Sequence, residues 1–285
     1  MRRTAAFALL VASIGMGPAV VGATQPPDPD RAVEEAKAKA GGVPEQAEAL
    51  ARLAWLSDSP EPVRARARRE LAAFGADSIV AMGQAVPRAN PERVGEIAET
   101  LLEAFRSVTS GIPAGYLPAL EDAVWFGGRE ARTLAIPELA RLRSQASVLP
   151  IIDAALEDPE LEQVAAQALG QLGDARARFY LARLLDEGKP FLRDQAAVAL
   201  ARVGDEGRSL LRSAMKSERK EIRLSAVRAI LPFATVDDLT ALHEYAASHA
   251  ADDPPTGKAV EQAAAILERA LEASAAEASA TPGPH

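Results

Sequence analysis

Two stretches of the sequence decide the fold: residues 161–174 are LEQVAAQALGQLGD, and residues 192–205 are LRDQAAVALARVGD. In each stretch the first apolar residue is followed by apolar residues eight and eleven positions later, so that all three share one face of a helix. The same register recurs between residues 117 and 232 at a period of about 30 residues, beginning at Ala131 and Ile222 in the flanking copies. A helix with such a face buries it between two neighbours. The repetition therefore predicts a stack of helix pairs.

The composition indicates one elongated domain whose core consists of small aliphatic side chains. Hydrophobic residues make up 48% of the 285 residues, but aromatic residues make up only 4%, so alanine, leucine and valine must fill the core. Small side chains allow helices to approach closely. The formal net charge of -8 argues against a nucleic-acid partner, because nucleic-acid-binding domains are normally basic.

Few side chains suited to catalysis or metal binding are present. The chain has no cysteine, which excludes disulfide bonds and thiolate sites. His243 and His249 are six positions apart and do not share a helix face, and Asp252 with Asp253 offers too few oxygen atoms for calcium. We therefore predict that the protein is not an enzyme and that it has no catalytic residue, no metal and no cofactor.

The N-terminus has the pattern of an export signal. Arg2 and Arg3 precede an apolar run over residues 5–14, and small residues at 21–23 form a cleavage site after Ala23. The pattern predicts a signal peptide over residues 1–23 and a periplasmic or extracellular protein with no stable membrane span after cleavage. The alternative interpretation is an uncleaved membrane anchor, although the apolar run is short for a spanning helix.

The rest of the chain divides into three segments. Residues 24–43 are polar and proline-rich, with a weak helix pattern over residues 31–40, and residues 274–285 form a tail that is predicted to be disordered. Residues 44–273 hold the repeats. The predicted pairs are 44–56 with 61–74, 79–86 with 92–108, 116–126 with 129–143, 148–156 with 159–172, 176–186 with 190–203, 207–216 with 218–233, and 236–248 with 256–271.

The repeats resemble those of a known family. Residues 164–174, VAAQALGQLGD, and residues 196–205, AAVALARVGD, with Arg193 shortly before the second, are similar to HEAT repeats of the short type found in phycobilin lyase subunits. Tetratricopeptide repeats are a poorer match, because their Trp, Gly-Tyr and Pro positions are not found here. The resemblance implies an all-α fold, a right-handed α-solenoid of about six or seven antiparallel helix pairs. Such a solenoid has a curved surface that usually binds proteins, and the resemblance implies no chemistry by itself.

HEAT repeats often carry an arginine early in the second helix of a pair, where it forms a ladder with acidic residues along the stack. Arg64, Arg132, Arg193 and Arg223 occupy this position, and Glu162 replaces the arginine in the fourth pair. We favour a structural ladder of ion pairs and carbonyl hydrogen bonds. The alternative is a row of guanidinium groups that awaits an acidic ligand.

Two further features lead to structural predictions. Pro137 stands inside a predicted second helix, where it should kink or split that helix. The aromatic residues are expected to pack in the core or between repeats, because a ligand cage would need several rings together. The side chains predicted to be buried are Trp55, Trp125, Phe126, Leu169 and Leu200.

Positive charge is concentrated in the fifth and sixth pairs. Residues 176–228 contain thirteen Lys or Arg against seven Asp or Glu, in a chain of negative net charge. A basic surface attracts acidic partners, although a solvated helical face is the simpler interpretation. The residues of this predicted basic edge are Arg208, Arg212, Lys216, Arg219, Lys220, Arg223 and Arg228.

Three hypotheses about function follow. The first is an exported, non-enzymatic scaffold that binds a protein or peptide partner through the second-helix face and the basic edge, with an acidic partner and an envelope complex as the expected setting. The second is an enzyme or enzyme subunit of the lyase-like HEAT-repeat type. The third is a structural spacer whose basic edge binds anionic polysaccharide or lipid.

Overall fold

The structure is a computed structural model that describes residues 27–280, with side chains described through residue 273. The signal peptide predicted over residues 1–23 and residues 281–285 of the predicted tail lie outside the described residues. Between residues 27 and 280 the protein is helical, with no β-strand. The all-α prediction is therefore confirmed for this part of the chain.

Fifteen α-helices are described, and short 3₁₀ turns lead into four of them. Every predicted helix of the seven pairs has a counterpart, with ends that differ by a few residues, except that the last helix is nine residues longer at its C-terminal end. The helices are α1 (Pro29–Lys39), α2 (Val43–Trp55), α3 (Glu61–Phe74), α4 (Ala76–Ala85), α5 (Pro91–Arg106), α6 (Tyr116–Phe126), α7 (Arg129–Arg141), α8 (Val148–Glu157), α9 (Glu162–Leu172), α10 (Arg178–Glu187), α11 (Pro190–Arg202), α12 (Asp205–Ala214), α13 (Lys220–Ile230), α14 (Leu239–His249) and α15 (Pro254–Ala280).

The helices pack in two layers. In the second layer, which contains the odd-numbered helices, each helix from α1 to α13 packs against the next odd-numbered one. In the first layer, which contains the even-numbered helices, α2, α4, α6 and α8 pack in sequence and α10 packs against α12. Each even-numbered helix also packs against the odd-numbered helix that follows it. This packing between sequence neighbours is consistent with an α-solenoid.

The core lies between the two layers and has the composition that the sequence predicted. Leu169 of α9 and Leu200 of α11 are fully buried, as expected from their place in the repeated register. Small residues allow the helices to approach closely. Gly170 of α9 faces Ala199 of α11, and a Cβ on Gly170 would lie 2.8 Å from both Cα and Cβ of Ala199. The two helices thus meet at a position that excludes larger side chains.

Helix ends follow the local sequence. Asn90 accepts a hydrogen bond from the backbone N–H of Glu92 and caps α5, which has Pro91 in its first turn, where proline loses no helical hydrogen bond. At the other end of a helix, Gly173 has φ of +67° and terminates α9. These signals set the short turns that keep the layers in register.

The weak helix pattern over residues 31–40 corresponds to α1, which packs against α2 and α3. The structure differs from the predictions at two other places. At the other end α15 continues to Ala280, past the predicted end of the repeats at residue 273. Helix α7 runs through Pro137 as one helix, so the helix is not split. Pro137 is exposed, and water can therefore solvate the Thr133 carbonyl that loses its donor.

Candidate functional site

The arginines early in the second-layer helices bind backbone carbonyls at the end of a first-layer helix. Arg132 Nε donates to the carbonyl of Val124 at 3.0 Å, and Arg193 donates to the carbonyls of Leu185 and Gly188 at 3.2 and 2.9 Å. These carbonyls lack helical donors, and a cation at a helix C-terminus is favourable. The structural interpretation of these arginines is therefore confirmed.

Carboxylates of the following helix pair complete this arrangement. Arg132 Nη2 lies 2.8 Å from Glu157 at the end of α8. Arg223 donates to the carbonyls of Ser217 and Glu218 and lies 2.5 Å from Asp252, which follows α14. Each of these two arginines thus joins its own pair to the next one.

A further arginine that binds carbonyls was missed in the sequence, and two positions differ from the series. Arg93 of α5 donates to the carbonyls of Trp55 and Ser57 at 2.9 and 3.0 Å. These carbonyls lie at the end of α2, in the preceding pair, so Arg93 joins two pairs through neutral acceptors. Arg64 instead forms an ion pair with Glu61 of its own helix. Glu162, which replaces the arginine in the fourth pair, accepts a bond from Arg183 at 3.4 Å.

Two residues of the basic edge converge on a buried acid. Asp238 is 1% exposed, and its carboxylate lies 2.5 Å from Arg212 and 3.7 Å from Arg208. It also accepts a hydrogen bond from the backbone N–H of Thr235. Arg208 pairs in addition with Asp205. This part of the edge is an internal ion cluster that links α12 to the start of α14.

Outside this ion cluster, the residues of the basic edge do not share an acidic partner. Among the described residues, Lys220 is exposed and has no ion pair, while the other six have a carboxylate partner. Several of these acids lie at residues 238–253, beyond the stretch whose charges were counted in the sequence. The ion pairs not yet described are Lys216 with Glu244 at 2.6 Å, Arg219 with Asp186 at 3.3 Å, and Arg228 with Asp253 at 2.8 Å.

Large apolar side chains are exposed on the outer surface of the first layer. Trp125 and Phe126 were predicted to be packed, but each is about half exposed, and only Trp55 is buried as expected. Helix α8 adds the exposed Leu149 and Leu156 and the partly buried Ile152, which share one side of the helix because they stand at positions i, i+3 and i+7. The relative exposures are 50% for Trp125, 51% for Leu149, 56% for Leu156 and 67% for Phe179 of α10.

Hydrogen bonds between neighbouring pairs place these side chains side by side. Arg132 bridges the carbonyl of Val124 and the carboxylate of Glu157, which brings the end of α6 next to the end of α8. Trp125 follows Val124 and Leu156 precedes Glu157, so these bonds bring together the two helix ends that carry the exposed side chains.

Hydrogen bonds likewise bring the start of α8 close to the start of α10. Arg176 donates to the carbonyl of Gln145, and Gln145 donates to the carbonyl of Leu172, so the turns before α8 and α10 lie together. Leu149 and Phe179 occupy equivalent positions just after these turns. We call this surface the first-layer patch, and its members are Trp125, Leu149, Ile152, Leu156 and Phe179.

Carboxylates without a cation lie beside the first-layer patch. Asp122 stands one turn before Trp125, Asp153 stands between Leu149 and Leu156, and neither has an ion pair among the described residues. Burial, together with the neighbouring carboxylate of Glu121, raises the pKa of Asp122 above its ordinary value. The surroundings of the patch on α6 and α8 are thus negative.

The arginines near the patch on α10 already have partners. Arg178 stacks on the ring of Phe179 at 4.4 Å and pairs with Glu206 at 3.1 Å. Arg183 pairs with Glu162 and Glu187. These guanidinium groups therefore do not offset the charge of Asp122 and Asp153.

The second layer has a recess of about 370 Å³ between α5 and α7. Gly95 is one of its lining residues, and a Cβ there would be in ordinary contact with Cβ of Glu130, at 3.4 Å. Glu96 already pairs with Arg68 at 2.9 Å. The lining residues are Gly95, Glu96, Glu99, Arg129, Glu130, Thr133 and Leu134. The second-helix face at this place is acidic, in contrast to the predicted basic edge.

The described part of the chain contains no metal-binding cluster and no membrane-spanning helix. Residues 27–280 contain no group of three His, Cys, Asp or Glu side chains placed to hold a metal ion. His243 lies 3.1 Å from Glu268, and His249 lies 3.9 Å from Asp252. Of the helices described, none has the length and apolar character needed to cross a bilayer.

The candidate site is therefore a surface rather than a cavity: exposed apolar side chains on three neighbouring helices, with two unpaired carboxylates beside them. The resemblance to HEAT repeats depends on the residues quoted above. Neither comparison with models of known protein families nor comparison with curated proteins returns a match for this chain.

Proposed function

We propose that this protein is an exported, non-enzymatic scaffold that binds a protein or peptide partner. In this proposal the helix pairs form a right-handed, HEAT-like α-solenoid of about six or seven pairs. The repeated register and the two-layer packing of sequence neighbours support the architecture. A solenoid of this kind presents a long, rigid surface, on which a partner can bind without a change in the helices.

The first-layer patch carries the proposal. Trp125, Leu149, Leu156 and Phe179 are each exposed by half or more, and they lie on three successive helices of the first layer. Contiguous apolar surfaces larger than a few hundred Å² are rare on soluble monomers, and such surfaces commonly mark binding sites. Aromatic and aliphatic side chains in such a surface are the usual anchors of protein interfaces.

The proposal keeps a protein or peptide as the partner but moves the contact surface away from the basic edge, so the expectation of an acidic partner is not carried over. Six residues of the basic edge have carboxylate partners, which reduces the field that would attract an acidic protein. The same ion pairs weaken the spacer hypothesis, since anionic polysaccharide or lipid needs free cations. For the enzyme hypothesis the described side chains supply no supporting observation.

A pulldown of the exported chain from envelope extract tests the proposed function. The patch variant carries Trp125→Ser and Leu156→Ser, and the matched control carries Ile266→Ser and Leu271→Ser, two equally exposed apolar residues of α15. We expect the patch variant to recover at least tenfold less of a partner that the wild type and the control recover equally.

A third variant, Arg219→Glu with Lys220→Glu, tests the basic edge in the same pulldown. Equal recovery by the patch variant and the wild type would contradict the proposal. Loss of the partner only on charge reversal would return the contact to the basic edge. All variants must keep the wild-type circular dichroism spectrum.

Export is the second part of the proposal, and it has its own test. The pattern over residues 1–23 supports cleavage after Ala23. Expressed with its own N-terminus in a bacterium, the mature protein should be recovered from the periplasm or medium with Thr24 as its first residue, as determined by mass spectrometry. A chain that keeps residues 1–23 and sediments with membranes would instead support the anchor.

A further inference from the structure

We infer that the partner segment that covers the first-layer patch is a basic amphipathic helix. This inference rests on the proposed function and adds the chemistry of the partner. It follows from the spacing of the apolar side chains and from the charges beside them.

The spacing on α8 suits a helix as the bound element. Leu149, Ile152 and Leu156 extend along about 10 Å of the helix axis, since each residue advances about 1.5 Å. Trp125 stands on one side of this row and Phe179 on the other, at the levels of Leu156 and Leu149. An amphipathic helix that binds such a surface inserts apolar residues of one face at positions i, i+3 or i+4, and i+7.

The charges require that the bound helix be basic. Asp153 lies within the apolar row, and Asp122 stands one turn from Trp125. A partner that covers the row removes water from both carboxylates, which is unfavourable unless the partner supplies cations. Lysine or arginine on the edges of the bound helix would meet this need, whereas glutamate would add repulsion.

Acidic and self-complementary occupants fit the surface less well. A second copy bound through the same patch would bring Asp122 and Asp153 towards their own counterparts, because a two-fold interface repeats each surface. A membrane of anionic lipids would be repelled by the same carboxylates. Both occupants are possible results of the test below, and either would overturn the inference.

Two synthetic peptides of about four helical turns serve as probes. Both have leucine on one face, and the opposite face is lysine in the first peptide and glutamate in the second. Tryptophan fluorescence of the full chain reports binding at the patch, because Trp125 is half exposed while Trp55, the other tryptophan, is buried. We expect the lysine peptide to shift the emission of Trp125 to shorter wavelength, with an affinity at least tenfold higher than that of the glutamate peptide.

Charge variants separate this site from attraction by the negative net charge. Asp122→Asn with Asp153→Asn should lower the affinity for the lysine peptide about tenfold. The matched control, Glu99→Gln with Glu103→Gln on the second layer, changes the net charge equally and should change the affinity less than twofold. Equal losses in the two double variants, equal affinity for both peptides, or no binding of the lysine peptide would each overturn the inference.

Further measurements identify the alternative occupants and separate the two proposals. A dimer in sedimentation that Leu156→Ser dissociates, or binding to vesicles of phosphatidylglycerol that the same substitution abolishes, would overturn the inference in favour of that occupant. In the envelope pulldown, the Asp122→Asn and Asp153→Asn variant should also lose the partner. If only the Trp125→Ser and Leu156→Ser variant loses it, the proposed function stands and the basic helix is wrong.

Discussion

Gly170 of α9 lies directly against Ala199 of α11, with space for no further atom between the two helices. A Cβ on Gly170 would be 2.8 Å from two atoms of Ala199, one of which is backbone and cannot move aside cheaply. The sequence places both residues next to the repeated leucines Leu169 and Leu200, but only the structure shows that one of them must lack a side chain.

Substitution of Gly170 by valine should therefore destabilise the protein. The side chain would force α9 and α11 apart, at a cost of about 3 kcal/mol or more in the free energy of unfolding. Urea unfolding followed by circular dichroism gives this value. Gly41→Ala is the control, because the atoms nearest to a Cβ there are 3.9 Å away, and it should change the free energy by less than about 0.5 kcal/mol. Equal stability of Gly170→Val and wild type would contradict the close approach.

A buried charge should have a larger effect than a bulky side chain. Leu169→Asp or Leu200→Asp places an unpaired carboxylate at a fully buried position, and we expect loss of cooperative unfolding of the array. Gln167→Asp, at an exposed position of the same helix α9, is the control. Thermal melts followed at 222 nm by circular dichroism distinguish the variants. A wild-type melting temperature for either leucine variant would show that the facing of these helices is wrong.

The arginine that joins the last two pairs should contribute more to stability than its exposed neighbour. Arg223→Gln removes donors from the carbonyls of Ser217 and Glu218 and leaves the carboxylate of Asp252 without its cation. We expect a loss of about 2 kcal/mol in the free energy of unfolding. Lys220→Gln, three residues earlier and without an ion pair in the described structure, should change it by less than about 0.5 kcal/mol. Similar losses for the two variants, measured by urea unfolding, would argue against the ladder.

The stability of the protein should decrease as the pH falls, and the lowered pKa of Glu138 gives the direction of this change. The hydrogen bond from Arg141 holds the pKa of Glu138 below its ordinary value, against the effect of burial. A carboxyl with a lowered folded-state pKa stabilises the protein above its unfolded pKa of about 4.3, and this contribution disappears as the pH falls through the folded pKa. Glu138→Gln should therefore lower the melting temperature at pH 7, whereas the difference from wild type should vanish towards pH 3. A difference that grows in acid would contradict this assignment.

Much of the fold could be predicted from the sequence because one register recurs through the chain. Leu169 and Leu200 stand at equivalent positions, and both are buried where the pattern places them. The exposure of Trp125 could not be obtained from its apolar character alone, since that character does not show whether a neighbour covers the ring. The equivalent positions of the fifth and sixth pairs, Asp186 and Lys216, are charged, which is typical of an outer position, but the fourth pair has the buried Ala155 there.

The charges were harder to predict than the helices. The basic edge was counted over residues that end at Arg228, whereas Asp238, Asp252 and Asp253 come from the next pair and lie against it only in the folded chain. Ion pairs between repeats join residues more than 20 positions apart, so a local count of charges overestimates the field. The first-layer patch likewise depends on which helices are neighbours, and its acidic surroundings depend on which carboxylates remain unpaired.

The arginine ladder stabilises the molecule through two kinds of interaction. Within a pair, Arg132 and Arg223 bind neutral carbonyl groups, whereas between pairs they bind the carboxylates of Glu157 and Asp252. Dissolved salt screens the attraction between opposite charges but has less effect on bonds to neutral acceptors. The ionic part of the coupling between pairs therefore weakens as salt rises, while each pair keeps its own bonds. Ionic strength would then act on the stiffness of the stack before it acts on the integrity of its individual pairs.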